Sequence, residues 1–254
     1  MGLFDWFRRG PARPVPDPLW QATVAALPFV AALPAADLDR LRALATAFLA
    51  EKEFTAAGDL ELDDGICLNI AVQGCLPVLN LGLEAYRGWV GIIVYPDEFI
   101  VPRTIQDEFG VVHEYDDVAS GEAWSGGPLI VSWRDAQMAG DGYNVVIHEF
   151  AHKLDMLNGE ADGVPALHSG LRREDWEAVL LAAYDDFCRR VDGGEETWID
   201  PYGSDSPAEF FAVVSESFFE SPDVVAGEYP ELYRQLCRYY RQDPLSRLAV
   251  ANPG

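Results

Sequence analysis

The sequence predicts an α+β domain in which helices come first, a small sheet follows, and helices return. Three observations indicate this order: helically spaced leucines between residues 35 and 54, β-rich segments between 89 and 133, and amphipathic segments after 173. A chain of 254 residues, 49% of them hydrophobic, is long and apolar enough to bury a substantial core. We therefore expect a single domain over residues 19–248, with a helical N-terminal lobe at 19–85 and a core at 86–248.

The elements are predicted in order along the chain. Helices are expected at 35–54, where Asp37 is a suitable cap, and at 66–78, ending near Pro77. Strands are expected around the Pro96-Asp97 turn within 89–101, at 111–115 and at 129–133, because β-branched and aromatic residues are concentrated there. Further helices are expected at 144–157, 173–191, 207–219 and 229–240, the first of them ending at Asn158-Gly159.

Two flanking segments lie outside the predicted domain. Residues 1–18 form an N-terminal arm with a proline-rich end, and residues 249–254 form a C-terminal tail. The arm lacks the apolar stretch and cleavage site of a secretory signal, and no apolar run approaches the roughly 18 residues of a membrane span. These features predict a cytoplasmic location.

The composition restricts the classes of partner. The formal net charge is -24, which repels a phosphate backbone, so we expect no direct nucleic-acid binding. The four cysteines show no CxxC spacing and are too few for a disulfide scaffold. Cys67 and Cys75 fit one face of the second predicted helix, where thiols behave as small hydrophobes.

The pentapeptide His148-Glu149-Phe150-Ala151-His152 carries the strongest chemical signal. In a helix, its two imidazoles project from one face, with the Glu149 carboxylate about 100° around the axis. Two neutral nitrogen ligands and an adjacent general base for a metal-activated water are what a zinc hydrolase requires. The alternative is a polar surface turn that matches the pattern by chance.

A catalytic zinc site needs a third protein ligand. Residue 158 is Asn, which removes the three-histidine HExxHxxGxxH arrangement. Glu209 is the better candidate, because its helix is otherwise strongly apolar and a metal is a good partner for a buried carboxylate. The competing interpretation is an exposed acid favoured by the helix dipole. Glu216 lies on roughly the same face, where it would orient a ligand histidine or form a surface ion pair.

Two further residues have candidate roles near this site. Asp155 would either orient a ligand or act as a local structural carboxylate, and the spacing leaves both possibilities open. Tyr202 lies seven residues before Glu209 and would donate a hydrogen bond to the oxyanion formed during amide hydrolysis. The competing interpretation is an ordinary loop tyrosine.

Together these motifs resemble a known family. HEFAHKLD at 148–155 and YGSDSPAEFF at 202–211, with LPVLNLG at 76–82, IIVYP at 92–96 and GGPLIVSW at 126–133, closely resemble the Mlc titration factor A family. The two metal-site motifs also resemble those of the anthrax lethal factor catalytic domain. The resemblance covers about residues 20 to 245.

The resemblance implies a zincin-like, gluzincin-type metallopeptidase in the bacterial cytoplasm, with one Zn²⁺ per chain. It makes His148, His152 and Glu209 the zinc ligands, Glu149 the general base and Tyr202 the oxyanion donor. It also implies that Leu129, Ile130, Val131, Ser132 and Trp133 form the sheet edge on which an extended peptide substrate is laid.

A second interpretation comes from a different class of function. Here the chain is an interaction protein that sequesters a transcriptional repressor, like the Mlc repressor associated with the family, and the metal site is regulatory or secondary. A structural zinc site is the weakest interpretation, because such sites prefer four protein ligands, often cysteines, and no cysteine lies in either motif.

Overall fold

The computed structural model describes residues 13–106, 112–140 and 142–251. The N-terminal part is helical, as predicted: α1 Asp17–Ala25, α2 Pro28–Ala31, α3 Ala35–Glu51 and α4 Asp64–Cys75. Most of the predicted N-terminal arm (residues 1–12) and the last three residues of the C-terminal tail lie outside the described residues. Within those ranges, none of the helices combines the length and apolar character that crossing a bilayer requires.

Four strands form a mixed sheet in the order β1-β2-β6-β5. β1, β2 and β6 are parallel, and β5 pairs antiparallel with β6. A separate antiparallel hairpin is formed by β3 and β4. The strands are β1 Glu53–Ala56, β2 Gly91–Tyr95, β3 Phe99–Gln106, β4 Val112–Ala119, β5 Gly121–Ala123 and β6 Leu129–Ser132.

The sheet order corrects the prediction that residues 129–133 form the sheet edge. β6 lies between β2 and β5, and all four of its residues are buried, as expected for a strand covered on both faces. The edge beside β6 is instead the three-residue strand β5. Trp133 is not in the strand at all, because α5 begins there after Ser132 caps it.

The first strand also differs from the sequence prediction. The helix expected to run to Phe54 ends at Glu51, and Phe54 lies in β1, paired with Ile92 of β2. Only Lys52 separates the helix from the strand. The segment assigned to the helical lobe therefore supplies the outer strand of the sheet.

The remaining helices pack around this sheet. α6 packs against both α8 and the strands β5 and β6. Of the helices that follow β6, α5, α9 and α11 were not predicted. These helices are α5 Trp133–Ala136, α6 Val145–Asp155, α7 Arg173–Asp192, α8 Pro207–Glu220, α9 Pro222–Glu228, α10 Pro230–Tyr240 and α11 Pro244–Ala251.

An aromatic cluster anchors α6 to the N-terminal half of the chain. Phe150 is fully buried, and its ring centroid lies 5.7 Å from Phe48, 5.0 Å from Tyr86 and 5.9 Å from Trp89. Tilted and edge-to-face contacts of this kind each stabilise by about 0.5–1.5 kcal/mol beyond the area they bury. The apolar side of α6 is thereby fixed against residues that precede Phe150 by more than sixty positions.

The Phe150 ring packs against the backbone of α4 at Gly74. A Cβ at this position would lie 2.4 Å from Cζ of Phe150. That is closer than two carbon atoms can approach, so glycine is required here by packing.

We expect Gly74→Ala to lower the free energy of unfolding by about 1–3 kcal/mol, because the added methyl group overpacks a closed contact. Gly227→Ala in α9 is the matched control, since its Cβ would meet nothing within 4 Å. The control should be neutral or slightly stabilising. Urea denaturation of both variants measures the difference, and equal stability would contradict the assignment of Phe150 as the neighbour that excludes a side chain.

Candidate metal centre

Helix α6 carries the HExxH motif and is buried along its whole length. Asn144 caps it, because its Oδ1 accepts a hydrogen bond of 2.8 Å from the Ile147 N–H. Residues four apart lie on one helical face, so His148 and His152 form one row, and Glu149 and Lys153 form the neighbouring row. The expected helix at 144–157 thus corresponds to α6 and the single 3₁₀ turn that follows it.

Helix α8 carries Glu209 in its first turn. Ser206 caps the helix by accepting a 3.1 Å hydrogen bond from the Glu209 N–H, and Pro207 occupies the position where no N–H is needed. Because α8 packs against α6, the Glu209 side chain reaches the row formed by the two histidines.

Three atoms that could bind a metal ion converge between these helices. His148 Nε2 lies 3.0 Å from Glu209 Oε2 and 3.1 Å from His152 Nε2, and His152 Nε2 lies 3.2 Å from Glu209 Oε2. Ligands bound about 2.0–2.1 Å from a tetrahedral zinc ion are separated by roughly 3.4 Å, so the triangle is close to the size that such an ion requires. The residues present therefore fit a metal ion.

Glu216 supports one of these imidazoles. Its Oε1 lies 2.7 Å from His148 Nδ1, and its Oε2 accepts a hydrogen bond from the Asn144 N–H. With Glu216 accepting the Nδ1 proton, the Nε2 lone pair of His148 is directed at the shared centre. The sequence left two roles open for Glu216, a contact with a histidine or a surface ion pair, and the structure contains the contact with His148.

The carboxylate charges follow from their neighbours. Burial acts to raise the pKa of Glu209, but hydrogen bonds to His148 and His152 hold it below its ordinary value, so Glu209 is an anion. Burial raises the pKa of Glu149 to about 7, although the charges of the two histidines oppose the shift. A cation held by His148, His152 and Glu209 would also oppose this rise in the pKa of Glu149.

Glu149 lies directly beside the edge strand β5. It is 5% exposed, and a Cβ added to Gly121 would stand 2.4 Å from its Oε1. Gly121 therefore lets the strand pass against the carboxylate. Neither Gly121 nor β5 is predicted from the sequence, because a three-residue strand is too short to show a hydrophobic periodicity.

Tyr202 is half exposed and lies next to the three ligands. Its ring centroid is 6.0 Å from that of His148, and its backbone N–H is held by Asp200 Oδ1 at 2.9 Å. Burial of the phenol and the charge of Glu209 raise the pKa of Tyr202. The hydroxyl therefore keeps its proton and remains a hydrogen-bond donor.

Asp155 binds the chain rather than a ligand. Its Oδ2 accepts a 2.8 Å hydrogen bond from the Gly163 N–H, which ties the loop after α6 to the helix. Within the described part of the chain, Asp155 Oδ1 and His152 Nδ1 have no hydrogen-bond partner. Of the two roles left open by the spacing, these contacts favour the local structural one.

Two cavities meet at this centre, with volumes of about 250 and 340 Å³. Both are lined by Gly121, His148, Glu149 and Tyr202. The first extends past Tyr143 and Asp200, and the second past His152, Ala161 and Glu209. The predicted substrate strand, residues 129–133, lines neither cavity, whereas β5 lines both.

Three possible metal-binding side chains that converge beside the buried carboxylate of Glu149 are suited to metal-dependent hydrolysis. This site defines the class of protein. The comparison with known proteins narrows that class. The family described as glucose-regulated metallo-peptidase M90 matches residues 4–241 of this chain.

Similar proteins named Mlc titration factor A agree with that match. The protein of Salmonella arizonae is 42% identical over 238 residues, which cover 91% of this chain and 94% of the relative. Those of Salmonella typhi and Salmonella schwarzengrund are 41% and 42% identical and cover 89% of this chain and 87% and 86% of theirs. The chain belongs to the Mlc titration factor A family of metallopeptidases.

We expect Glu216→Gln to weaken metal binding about 10- to 100-fold, because His148 loses the carboxylate that orients it. Glu209→Ala should have the larger effect, since it removes a donor atom. Glu228→Gln is the control, as that carboxylate binds Arg190 at 2.8 Å. Competition with a coloured chelator measures all three affinities. Unchanged affinity in Glu209→Ala would reject that residue as a ligand.

Proposed function

We propose that this protein is a zinc-dependent peptidase that hydrolyses peptide bonds with Glu149 as the general base. The observation that carries the proposal is the convergence of three possible ligand atoms within 3.2 Å of one another, beside the buried carboxylate of Glu149. The family membership supports the same reaction class.

Zinc fits this donor set better than the common alternatives. Two imidazoles and one carboxylate form the ligand set of many catalytic zinc sites, whereas magnesium and calcium prefer oxygen ligands. When bound by His148, His152 and Glu209, the ion would supply Lewis acidity and lower the pKa of a coordinated water.

Glu149 is placed to move the protons of the reaction. It lies one position from His148 on α6 and lines both cavities, so it faces a water and a substrate at the same centre. It would take a proton from the attacking water and later deliver it to the leaving amine. Its proximity to Gly121 limits how far it can rotate away.

Tyr202 is placed to stabilise the charge that develops on the substrate. Its protonated phenol lines both cavities, and Glu209 lines the second of them. A hydrogen bond donated to the carbonyl oxygen would strengthen as that oxygen becomes an anion.

The substrate is proposed to bind along β5. This strand pairs with β6 on one side; all three of its residues line the second cavity, and Gly121 also lines the first. An extended peptide that adds to a sheet edge gains main-chain hydrogen bonds whatever its sequence. We therefore propose that the peptide lies on β5 in a zincin-like arrangement, and not on the interior strand β6.

The second candidate function is binding of a transcriptional repressor. The relatives' name, Mlc titration factor A, supports it, as does the coverage of nearly the whole chain. The two functions can coexist in one protein. We also propose a cytoplasmic location, since free cysteines such as the buried Cys67 and Cys75 suit a reducing compartment.

Glu149→Gln should retain the metal and lower kcat by about 10²–10⁴-fold, because the base is lost while the ligands remain. Cleavage of a peptide library by the zinc-loaded protein, with free and acetylated N termini, measures the activity. Capture of a purified Mlc-like repressor by the same variant separates binding from hydrolysis. Full peptidase activity in Glu149→Gln would refute the mechanism.

Tyr202→Phe should lower kcat by about 10²–10³-fold with little change in metal affinity, because only the oxyanion donor is removed. Tyr184→Phe is the matched control, since that hydroxyl binds the Ser204 carbonyl at 2.9 Å and supports the same loop. Equal losses in the two variants would mean that Tyr202 acts by holding the loop and not by contacting substrate.

A further inference from the structure

Lys153 is buried on the catalytic helix and has no part in the mechanism above. It is 4% exposed and lies four residues after Glu149, hence in the same row of α6. The row of His148 and His152 faces the metal centre, whereas the row of Glu149 and Lys153 faces β5 and the turn that follows it.

The Lys153 ammonium binds three carbonyl oxygens of that turn. Nζ donates to Trp124 O at 2.6 Å, to Gly127 O at 2.9 Å and to Pro128 O at 3.2 Å. An ammonium has three donors, so all of them are used within one turn. The face of the Trp89 ring, 4.8 Å from Nζ, covers the cation.

The same carbonyls also close the turn from within. The Trp124 N–H donates to Pro128 O at 3.1 Å, and the Gly127 N–H donates to Trp124 O at 3.0 Å. Lys153 therefore completes the hydrogen bonding of both acceptors and ties the turn to α6. A cation taken out of water costs several kcal/mol, which here is offset by backbone dipoles of this one segment.

The turn matters because β5 is short. Only three residue pairs, Gly121 with Val131, Glu122 with Ile130 and Ala123 with Leu129, register it against β6. At its beginning, Gly121 lies against Glu149, and immediately after its end, Trp124 binds Lys153. One row of α6 thus touches both ends of the edge strand.

We propose that Lys153 is a positioning residue that fixes β5 at the distance from Glu149 and the metal ligands at which a peptide binds. This inference rests on the proposed peptidase function and on β5 as the strand that takes the substrate. Without the ammonium, the turn and the end of β5 beside it lose their hydrogen bonds to α6, whereas the proposed ligands and the base keep their contacts.

The test is Lys153→Met in the full-length, zinc-loaded protein, which keeps an apolar stem and removes the donors. We expect KM for a peptide substrate to rise about 10-fold or more while kcat changes by less than about threefold, the pattern of lost ground-state binding. Zinc stoichiometry should stay at the wild-type value, and amide hydrogen exchange over residues 121–127 should accelerate.

Lys52→Met is the matched control. Lys52 is equally buried, binds Tyr86 O and Trp89 O at 2.8 and 2.7 Å, and lies 3.7 Å from the same Trp89 ring. Its loss removes a buried ammonium without touching β5, so stability should fall while KM and exchange over 121–127 stay unchanged. An equal rise of KM in both variants would overturn the proposal.

Gly126→Val perturbs the same turn without changing Lys153. It therefore tests the proposal even if Lys153→Met does not fold. Gly126 has φ +63° and nothing within 4 Å of a Cβ, so valine strains the backbone without a clash. We expect the same rise in KM, and unchanged KM here would overturn the proposal.

Absence of Glu149-dependent hydrolysis in the wild type would refute the peptidase function, whereas the exchange measurements test the Lys153 link independently.

Discussion

The packing of α6 against α8 is the constraint on which the rest of the site depends. α8 presents the buried Glu216 and the half-buried Glu209 and Glu220 along one side, and carboxylates removed from water are tolerated only where hydrogen-bond donors meet them. α6 and the residues that precede it supply those donors: the His148 and His152 imidazoles, the Asn144 backbone and side chain, and the Gly140 and Gly142 N–H groups. Neither helix could be buried in this way without the other.

The two sides of α6 have different roles: one holds the helix in the apolar core, and the other carries the polar groups of the candidate metal centre. Phe150 locks one side of α6 into the aromatic cluster with Phe48, Tyr86 and Trp89, which supplies apolar stabilisation. The opposite side carries polar groups that are costly to bury and that converge on one point. A bound metal ion would offset part of that cost, so folding stability and metal binding are linked.

The edge of the sheet is held by the same helix. β5 has too few residues to define its own position, and its two ends meet Glu149 and Lys153. α6 and the short strand tied to it therefore line part of the groove beside the candidate metal centre. Such support would favour accurate placement of a substrate relative to the proposed metal ligands and general base.

The sequence by itself determined the part of the site that one helix encodes, because His148, Glu149 and His152 depend only on helical spacing. It also pointed to Glu209 and Glu216, since acids in an apolar helix need partners. Only the tertiary structure decided the sheet edge and the roles of Gly121 and Lys153. Strand order depends on pairing between segments that are distant in sequence. This pairing puts β6 inside the sheet, and it makes a strand, β1, from residues close after α3. A three-residue strand carries no periodicity, so its position exists only through the groups that hold it.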